Sequence, residues 1–305
     1  TFLFLYNICT GVFTALGDSR TPLYFLIASS LANIVMDVVF VVCFHMGVGG
    51  VAWATFLCQG VASVLAAWTL FRRLRGVPAP ERHPLFSWRM LGRIARIAVP
   101  SILQQSFISV GNLFIQSLVN SFGSAVVAGY SAAVKLNTFA LTGFTTLGNG
   151  LSSFTAQNIG AGRPERVKQG FRAGAGMTLC VAVPFIAAFV FAGPQMVRLF
   201  LSAPSADALA QGTLFLNIVA PFYVLISLKL AADGVLRGAG CMGQFMTATF
   251  TDLILRVILA FLLAPRFGAA GIWMSWPLGW AVAAALSLGF YFTGGWRKRV
   301  GSIDK

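Results

Sequence analysis

The sequence has 305 residues, of which 57% are apolar and only 10% are charged, and its mean hydropathy is +0.81. This composition is typical of polytopic helical membrane proteins and excludes an ordinary soluble domain. The net charge of +14 invites a nucleic-acid interpretation. Because the Lys and Arg residues lie mainly between apolar runs rather than in stripes, we expect no binding to nucleic acid.

Nine apolar segments are predicted to be membrane helices. The first, 1–15, starts inside an apolar run without a Met, so we expect the amino terminus to be truncated. The next eight segments are 22–45, 50–71, 95–120, 125–150, 172–194, 209–236, 244–264 and 269–293. The sequence therefore predicts an all-α polytopic membrane protein.

The connections between these segments alternate in charge. Seventeen Lys and Arg residues lie in the connections 16–21, 72–96, 151–172, 237–243 and 294–305, whereas the other set holds only Arg198 and Arg266. The positive-inside rule places the first set, and with it the carboxy terminus, in the cytoplasm. The longest of these connections, 72–96, is rich in Arg and Pro and is predicted to be an interfacial linker held by anionic lipid headgroups.

Internal repeats indicate two equivalent halves on either side of this linker. Residues 11–17 (GVFTALG) line up with 234–240 (GVLRGAG), and 47–51 (GVGGV) line up with 268–272 (GAAGI). If the halves are equivalent, the first lacks roughly three and a half of six segments. The predicted domains are the end of an amino-terminal lobe at 1–71, the linker at 72–96 and a carboxy-terminal lobe at 97–305.

Asp37 is the one acidic residue of segment 22–45, and it follows Asn33 by four positions. Side chains four apart share one face of a helix. Since a carboxylate in hydrocarbon costs free energy, the pair is predicted to be a functional site that faces a protein-lined cavity. The alternative is that both side chains only stabilise helix packing through hydrogen bonds.

Charged residues also lie in or near the carboxy-terminal segments. Lys229 and Asp233, and likewise Asp252 and Arg256, are four positions apart, so each pair could be neutralised within one helix. Lys135 has no such local partner. The competing hypothesis is that Lys135 faces a central cavity and pairs with Asp233 or Asp252 across helices.

The chain offers little for catalysis or for a metal centre. Its five Cys residues are far apart and it has only two His residues, so no metal site is predicted. A membrane-embedded enzyme would need a nucleophile beside a base, or a metal cluster, and the sequence shows neither. We therefore predict that the protein is not an enzyme.

Three stretches resemble the multidrug and toxic compound extrusion (MATE) transporters. They are LGDSRTPLYFLIASSLANIVMDVVF (16–40), VPSILQQ (99–105) and SSFTAQNIGAGRPERVKQG (152–170), and the likeness is greatest to the DNA-damage-inducible, proton-coupled branch. The resemblance implies a two-lobed bundle of six-helix repeats, with about eight and a half of twelve helices present here. It also implies export of small amphipathic or cationic compounds across the bacterial inner membrane by alternating access.

The resemblance further implies a cation-coupling site. Asn7, Asn33, Asp37 and Thr55 match its members, whereas the aspartate on the family's first helix has no counterpart in this chain. Asp37 could bind a proton and release it when the cavity hydrates, or it could ligate sodium with neighbouring oxygens. No cofactor is expected beyond proton or sodium as the coupling ion.

The candidate residues of the carboxy-terminal cavity are Lys135, Lys229 and Asp233. The position where the sodium-coupled branch has an acidic residue is Ile108, which argues against a sodium site there. The alternative function is a lipid or polysaccharide flippase of the same superfamily. Small substrates and membrane lipids are the expected partners, and a monomer is the expected state.

Overall fold

The structure is a computed structural model that describes residues 1–76, 86–201 and 205–299, with 298 and 299 as backbone only. These residues are almost entirely helical, as predicted. The α-helices are α1 (Phe2–Ala15), α2 (Arg20–Val38), α3 (Gly47–Leu74), α4 (Trp88–Asn120), α5 (Ser124–Gly160), α6 (Pro164–Leu199), α7 (Ala206–Val219), α8 (Tyr223–Gly238), α9 (Met242–Phe267) and α10 (Ala269–Phe292). A π-helix (Val39–Cys43) continues α2, and 3-10 turns lie at Ala220–Phe222 and Gly295–Arg299.

Seven helices within the described residues are long and apolar enough to cross a membrane, with α7 and α8 forming one continuous span. Helix α1 is apolar but shorter, at 14 residues. Helix α5 has 37 residues but is not one of the seven, since its Asn, Thr and Gly residues lower its hydropathy. Each of the nine predicted segments therefore corresponds to helix, and the prediction of a polytopic all-α protein is confirmed.

Several helices extend beyond the predicted membrane segments. Helix α4 begins at Trp88, inside the predicted linker, after Ser87, whose Oγ accepts a hydrogen bond from the Met90 backbone N–H at 3.4 Å. The predicted connection 151–172 is also mostly helical, because only 161–163 separate α5 from α6. The part of the linker at 77–85 lies outside the described residues.

The chain divides into two compact units, Thr1–Phe86 and Ser87–Lys305. In the first unit, α3 packs against both α1 and α2, which contact each other little. Cys9 and Phe13 of α1 form a small core with Ala66 and Leu70 of α3. Helix α3 therefore supplies the packing surface for both α1 and α2.

In the second unit, α5 is the central helix and packs against α6, α7 and α8, while α9 packs along α10. An aromatic cluster fills its core: Tyr130 stacks on Trp273 with ring centroids 4.9 Å apart, and Phe215 packs edge-on against Trp273 and Trp276. Glycines let α5 and α8 approach closely, because a Cβ on Gly234 would lie 2.5 Å from the Gly148 carbonyl oxygen. The small-residue face of α8 is thereby held against α5.

The predicted internal repeat is present in the local structure. Gly17 and its counterpart Gly240 both adopt positive φ, at 81° and 71°, and end a helix. The backbone N–H groups of Asp18 and Cys241 then donate to carbonyls five residues back. Gly47 and Gly268, at φ 55° and 62°, occupy equivalent positions at the second break.

Candidate functional site

In the first unit, one face of α2 carries polar and sulfur-containing side chains toward α3. The Asn33 Nδ2 group donates to the Thr55 Oγ1 atom at 3.5 Å, and the Cys58 Sγ atom lies 3.6 Å from the Met36 Sδ atom. The spacing of Asn33, Met36 and Asp37 places all three on the same side of the helix. The structure therefore brings together Asn33 and Thr55, two of the four residues predicted for cation coupling.

Asp37 lies on this same face and is half-buried. Its Oδ1 atom is buried and has no hydrogen-bond partner among the described residues. A buried carboxylate oxygen without a donor is costly, and the cost falls when a proton or a cation reaches it. Immediately after Asp37 and Val38 the helix changes to the π-form, a feature that occurs frequently at functional sites.

Asn7 is not joined to this group. Its side chain is exposed on α1, and no hydrogen bond connects it with Asn33, Asp37 or Thr55. The physical reason is the packing order, since α3 contacts both flanking helices whereas α1 and α2 barely contact each other. Of the four predicted residues, Asn33 and Thr55 are thus hydrogen-bonded, Asp37 lies on the same face of α2, and Asn7 lies apart from them.

The second unit contains a cavity of about 610 Å³ between α4, α5, α8, α9 and α10. Its lining is mixed, with amide and hydroxyl groups, five charged residues and the aromatic rings of Tyr130, Trp276 and Trp280. The charged lining residues are Lys229, Asp233, Arg237, Asp252 and Arg256. Two of the three predicted cavity candidates are in this set.

Lys229 and Asp233 form an ion pair that we call the closed pair. The Lys229 Nζ atom lies 2.6 Å from the Asp233 Oδ2 atom, and the Ser287 Oγ group donates to Asp233 Oδ1 at 2.6 Å. Both charged residues are less than 5% exposed. Every charge of the pair is thus matched, and the predicted neutralisation within one helix is confirmed for these two residues.

Lys135 does not reach the cavity. Its side chain is exposed, whereas the cavity is lined by Val134 and Thr138 of the same helix. One step along a helix turns the side chain by about 100°, and this rotation carries Lys135 off the lining face. In this structure Lys135 forms an ion pair with neither Asp233 nor Asp252, and Asp233 is bound by Lys229.

Asp252 and Arg256 form a second pair with the same spacing, which we call the open pair. The Arg256 Nη2 atom is 3.8 Å from the Asp252 Oδ2 atom, which is too long for a hydrogen bond. Asp252 Oδ1 and Arg256 Nε are buried without hydrogen-bond partners in the described part of the chain. The Arg256 guanidinium instead lies over the Trp276 ring, 4.6 Å from its centroid.

The range that matches a known protein family includes most of the residues that line this cavity. The MatE family model matches residues 100–262, more than half of the chain. The chain belongs to the MATE family. The matched range contains the lining residues of α4, α5, α8 and α9.

Individual MATE relatives agree with this assignment. The probable multidrug resistance protein YpnP of Bacillus subtilis is 31% identical over 297 residues, covering 97% of this chain and 66% of the relative. The probable multidrug resistance protein YoeA of the same organism is 27% identical over 302 residues, covering 95% of this chain and 64% of the relative. The chain thus spans about two thirds of the length of these curated relatives.

A solved MATE structure shares the fold. The Vibrio cholerae MATE transporter VcmN in the bent form matches with a TM-score of 0.85 at 20% identity, over 96% of this chain and 66% of that one. The predicted MATE family and helical fold are therefore confirmed, and the matches do not favour the alternative of a flippase.

Sequence reasoning missed the amide-rich wall of this MATE cavity. Gln104, Ile108, Asn112 and Gln116 of α4 all line it, and their spacing of four places them on one helix face. Asn137 of α5 is also in the lining, and it accepts a hydrogen bond from the Tyr223 hydroxyl at 2.9 Å. A polar stripe of period four inside a membrane segment is the signal that could have located this wall.

Arg237 was also missed as a cavity residue in this MATE chain. Its guanidinium donates to the Asn149 Oδ1 atom and lies over the Phe245 ring, 5.6 Å from the centroid. No carboxylate lies within ion-pair distance of it among the described residues. Arg237 was counted only as a loop cation, because it lies at the last turn of α8.

Proposed function

We propose that this MATE protein is a secondary active exporter that moves small amphipathic or cationic compounds out of the cell in exchange for protons. Sodium is the alternative coupling ion. The proposal places the protein as a monomer in the bacterial inner membrane, in contact with membrane lipids and with its carboxy terminus in the cytoplasm. The predicted absence of enzymatic activity and of any cofactor remains part of this proposal.

The observation that carries the proposal is the condition of Asp37. Its Oδ1 atom is buried and unpartnered beside the Asn33–Thr55 hydrogen bond, on a membrane helix that contains no other acidic residue. A proton arriving at this carboxylate removes the cost of burying its charge. Proton binding there thus changes the energy of the surrounding helices, as coupling requires.

The orientation is supported by charge. Arg72 and Arg73 lie in the last turn of α3, and the carboxy-terminal helix α10 is followed by the basic segment 297–299. Basic residues are favoured on the cytoplasmic side, where anionic headgroups attract them. The same side would then hold the turn around Gly162, which is flanked by Arg163 and Arg166.

The test is transport by the full-length protein in proteoliposomes. Ethidium efflux is measured first under an imposed pH gradient and then under an imposed sodium gradient, for the wild type and for Asp37→Asn. This substitution preserves shape but removes the titrating group, so we expect pH-driven efflux to fall at least tenfold.

Asp207→Asn is the matched control, because Asp207 is exposed at the start of α7 in the other unit. It should transport like the wild type. Efflux that is unchanged in a folded Asp37→Asn protein would contradict the coupling role. Efflux driven only by sodium would replace the proton with sodium as the coupling ion.

A further inference from the structure

The open pair leaves an unusual number of buried polar groups without partners. Arg256 is 7% exposed and lines the cavity, and none of its five N–H groups donates a hydrogen bond to a described residue. The Thr249 Oγ1 and Trp276 Nε1 atoms, which belong to the same lining, are also buried and unpartnered. Buried arginine donors are nearly always satisfied, so this end of the cavity lacks a group that would accept from them.

The group that would fit the Arg256 donors is a hydrogen-bond acceptor with negative charge. The five charged lining residues comprise three cations and two carboxylates, which leaves the cavity with a formal charge of +1. The closed pair is internally neutral and hydrogen-bonded, so it has little to offer an additional ion. Arg256 keeps its planar donor fork free, and that fork matches the two oxygens of a carboxylate.

Flat aromatic surfaces surround this donor fork. Trp276 lies directly against the Arg256 guanidinium, and Trp280 packs edge-on against Trp276 at a centroid distance of 5.9 Å. The Trp276 N–H is itself an unused donor in this lining. Trp276 is 5% exposed, so an aromatic ring that carries an acidic group would contact the small accessible part of this indole while its carboxylate reaches Arg256.

We propose that Arg256 binds the carboxylate of an aromatic ligand in this cavity and that Trp276 packs against the ligand's ring. This inference rests on the proposed export function and adds amphipathic compounds with an acidic group to its substrates. Asp252 competes with the ligand for Arg256, and its separation of 3.8 Å leaves the guanidinium available. The ligand carboxylate would accept the hydrogen bonds from Arg256 that Asp252 is too distant to accept.

The test compares two probes that share a naphthalene ring system and differ in the sign of their charge, 1-naphthoate and 1-naphthylmethylamine. Their binding to the purified full-length protein in detergent is measured by titration calorimetry. The proposal expects the wild type to bind naphthoate more tightly than the amine. Arg256→Gln should weaken naphthoate binding at least tenfold and leave the binding of the amine unchanged.

Two further variants keep the test decisive. Arg266→Gln removes an exposed arginine from the same helix and should match the wild type. Asp252→Asn removes the competing carboxylate, so naphthoate binding should tighten severalfold even if Arg256→Gln fails to fold. Naphthoate affinity that is unchanged or weakened in folded Asp252→Asn, or tighter binding of the amine by the wild type, would overturn the proposal.

Transport separates this inference from the proposed function. If the wild type binds naphthoate with the expected dependence on residue 256 but exports neither naphthoate nor ethidium, the binding site stands and the export function fails. If ethidium is exported while naphthoate neither binds nor is exported, the export function stands and the inference fails.

Discussion

The closed pair and the open pair differ in structure although they share one cavity and one spacing along the helix. Lys229 and Asp233 meet at 2.6 Å and receive a further hydrogen bond from Ser287, whereas Arg256 and Asp252 stay 3.8 Å apart. The difference arises from neighbouring helices, since α10 supplies a hydroxyl to the first pair and an indole ring to the second. A spacing of four residues permits an ion pair, but tertiary packing decides whether it closes.

The largest predicted effect is the loss of the closed pair. Lys229→Ala leaves Asp233 buried without its partner, so the free energy of unfolding should fall by about 3 to 5 kcal/mol. Lys135→Ala is the control, because that side chain is exposed, and its effect should stay within about 0.5 kcal/mol. Denaturant titration in detergent measures both, and equal losses in the two variants would show that the closed pair contributes nothing special.

A second prediction compares the hydroxyl groups beside the two pairs. Ser287→Ala removes the donor to the Asp233 carboxylate and should cost about 2 kcal/mol in unfolding free energy. Thr249→Val removes a buried hydroxyl that has no hydrogen-bond partner among the described residues, so the cost should be close to zero. A larger loss in Thr249→Val than in Ser287→Ala would contradict the distinction between the pairs.

A third prediction concerns the packing that holds Asp252. A Cβ on Gly279 would lie 2.6 Å from Asp252 Oδ1, so Gly279→Ala should destabilise the protein by about 1 kcal/mol. Gly289 of the same helix has open space around its Cβ position. Gly289→Ala should therefore stabilise the protein, by up to about 1 kcal/mol, because alanine favours the helix. Thermal unfolding reports whether the two shifts have opposite signs.

The smallest effect is expected at a partly exposed ion pair, which contrasts with both buried ones. Asp18 pairs with Arg73, and a hydrogen bond from the Thr21 hydroxyl is the main cause that lowers the pKa of Asp18 below its ordinary value. Its contribution to stability is therefore present above the unfolded pKa of about 3.9 and is lost as the pH falls through the lower folded pKa.

Unfolding curves at about pH 5 and at lower pH should thus show a weaker acid dependence for Asp18→Asn than for the wild type. Salt should reduce the Asp18 effect, because exposed charges are screened. An acid response that is identical in the wild type and in Asp18→Asn would remove Asp18 as its source.

Hydropathy and glycine spacing were sufficient to predict the nine helical segments and the repeated breaks, because both are properties of the local sequence. The spacing of four residues likewise predicted Lys229 with Asp233. It could not predict that Arg256 would turn toward Trp276, since that depends on the position of another helix. That Lys135 lies outside the lining of this cavity could not be predicted for a similar reason, because segment hydropathy does not reveal which face of α5 lines it.

The helix ends were predicted less well than the helices. A segment predicted from hydropathy ends where the apolar run ends, at residue 150. Helix α5 nevertheless continues to Gly160 as an amphipathic helix that still satisfies its backbone hydrogen bonds. In the first unit, the resemblance to the MATE family implied that Asn33, Asp37 and Thr55 belong to one site, and Asn33 and Thr55 are in contact. The resemblance also implied Asn7 as a member of this site. The position of Asn7 apart from the other three could not be predicted, because the spacing of residues along the sequence does not encode the order in which α1, α2 and α3 pack.

The short turns built around left-handed glycines limit how the helices can move. Only 161–163 separate α5 from α6, and only 239–241 separate α8 from α9, so an extended chain could span roughly 10 Å at most. Connectors this short keep the ends of the two joined helices close together, so each pair of helices moves as one stiff hairpin. A change of shape within such a hairpin has to come from bending of its helices, and α6 has a kink at Ala192, where the backbone leaves helical geometry between Pro184 and Pro194.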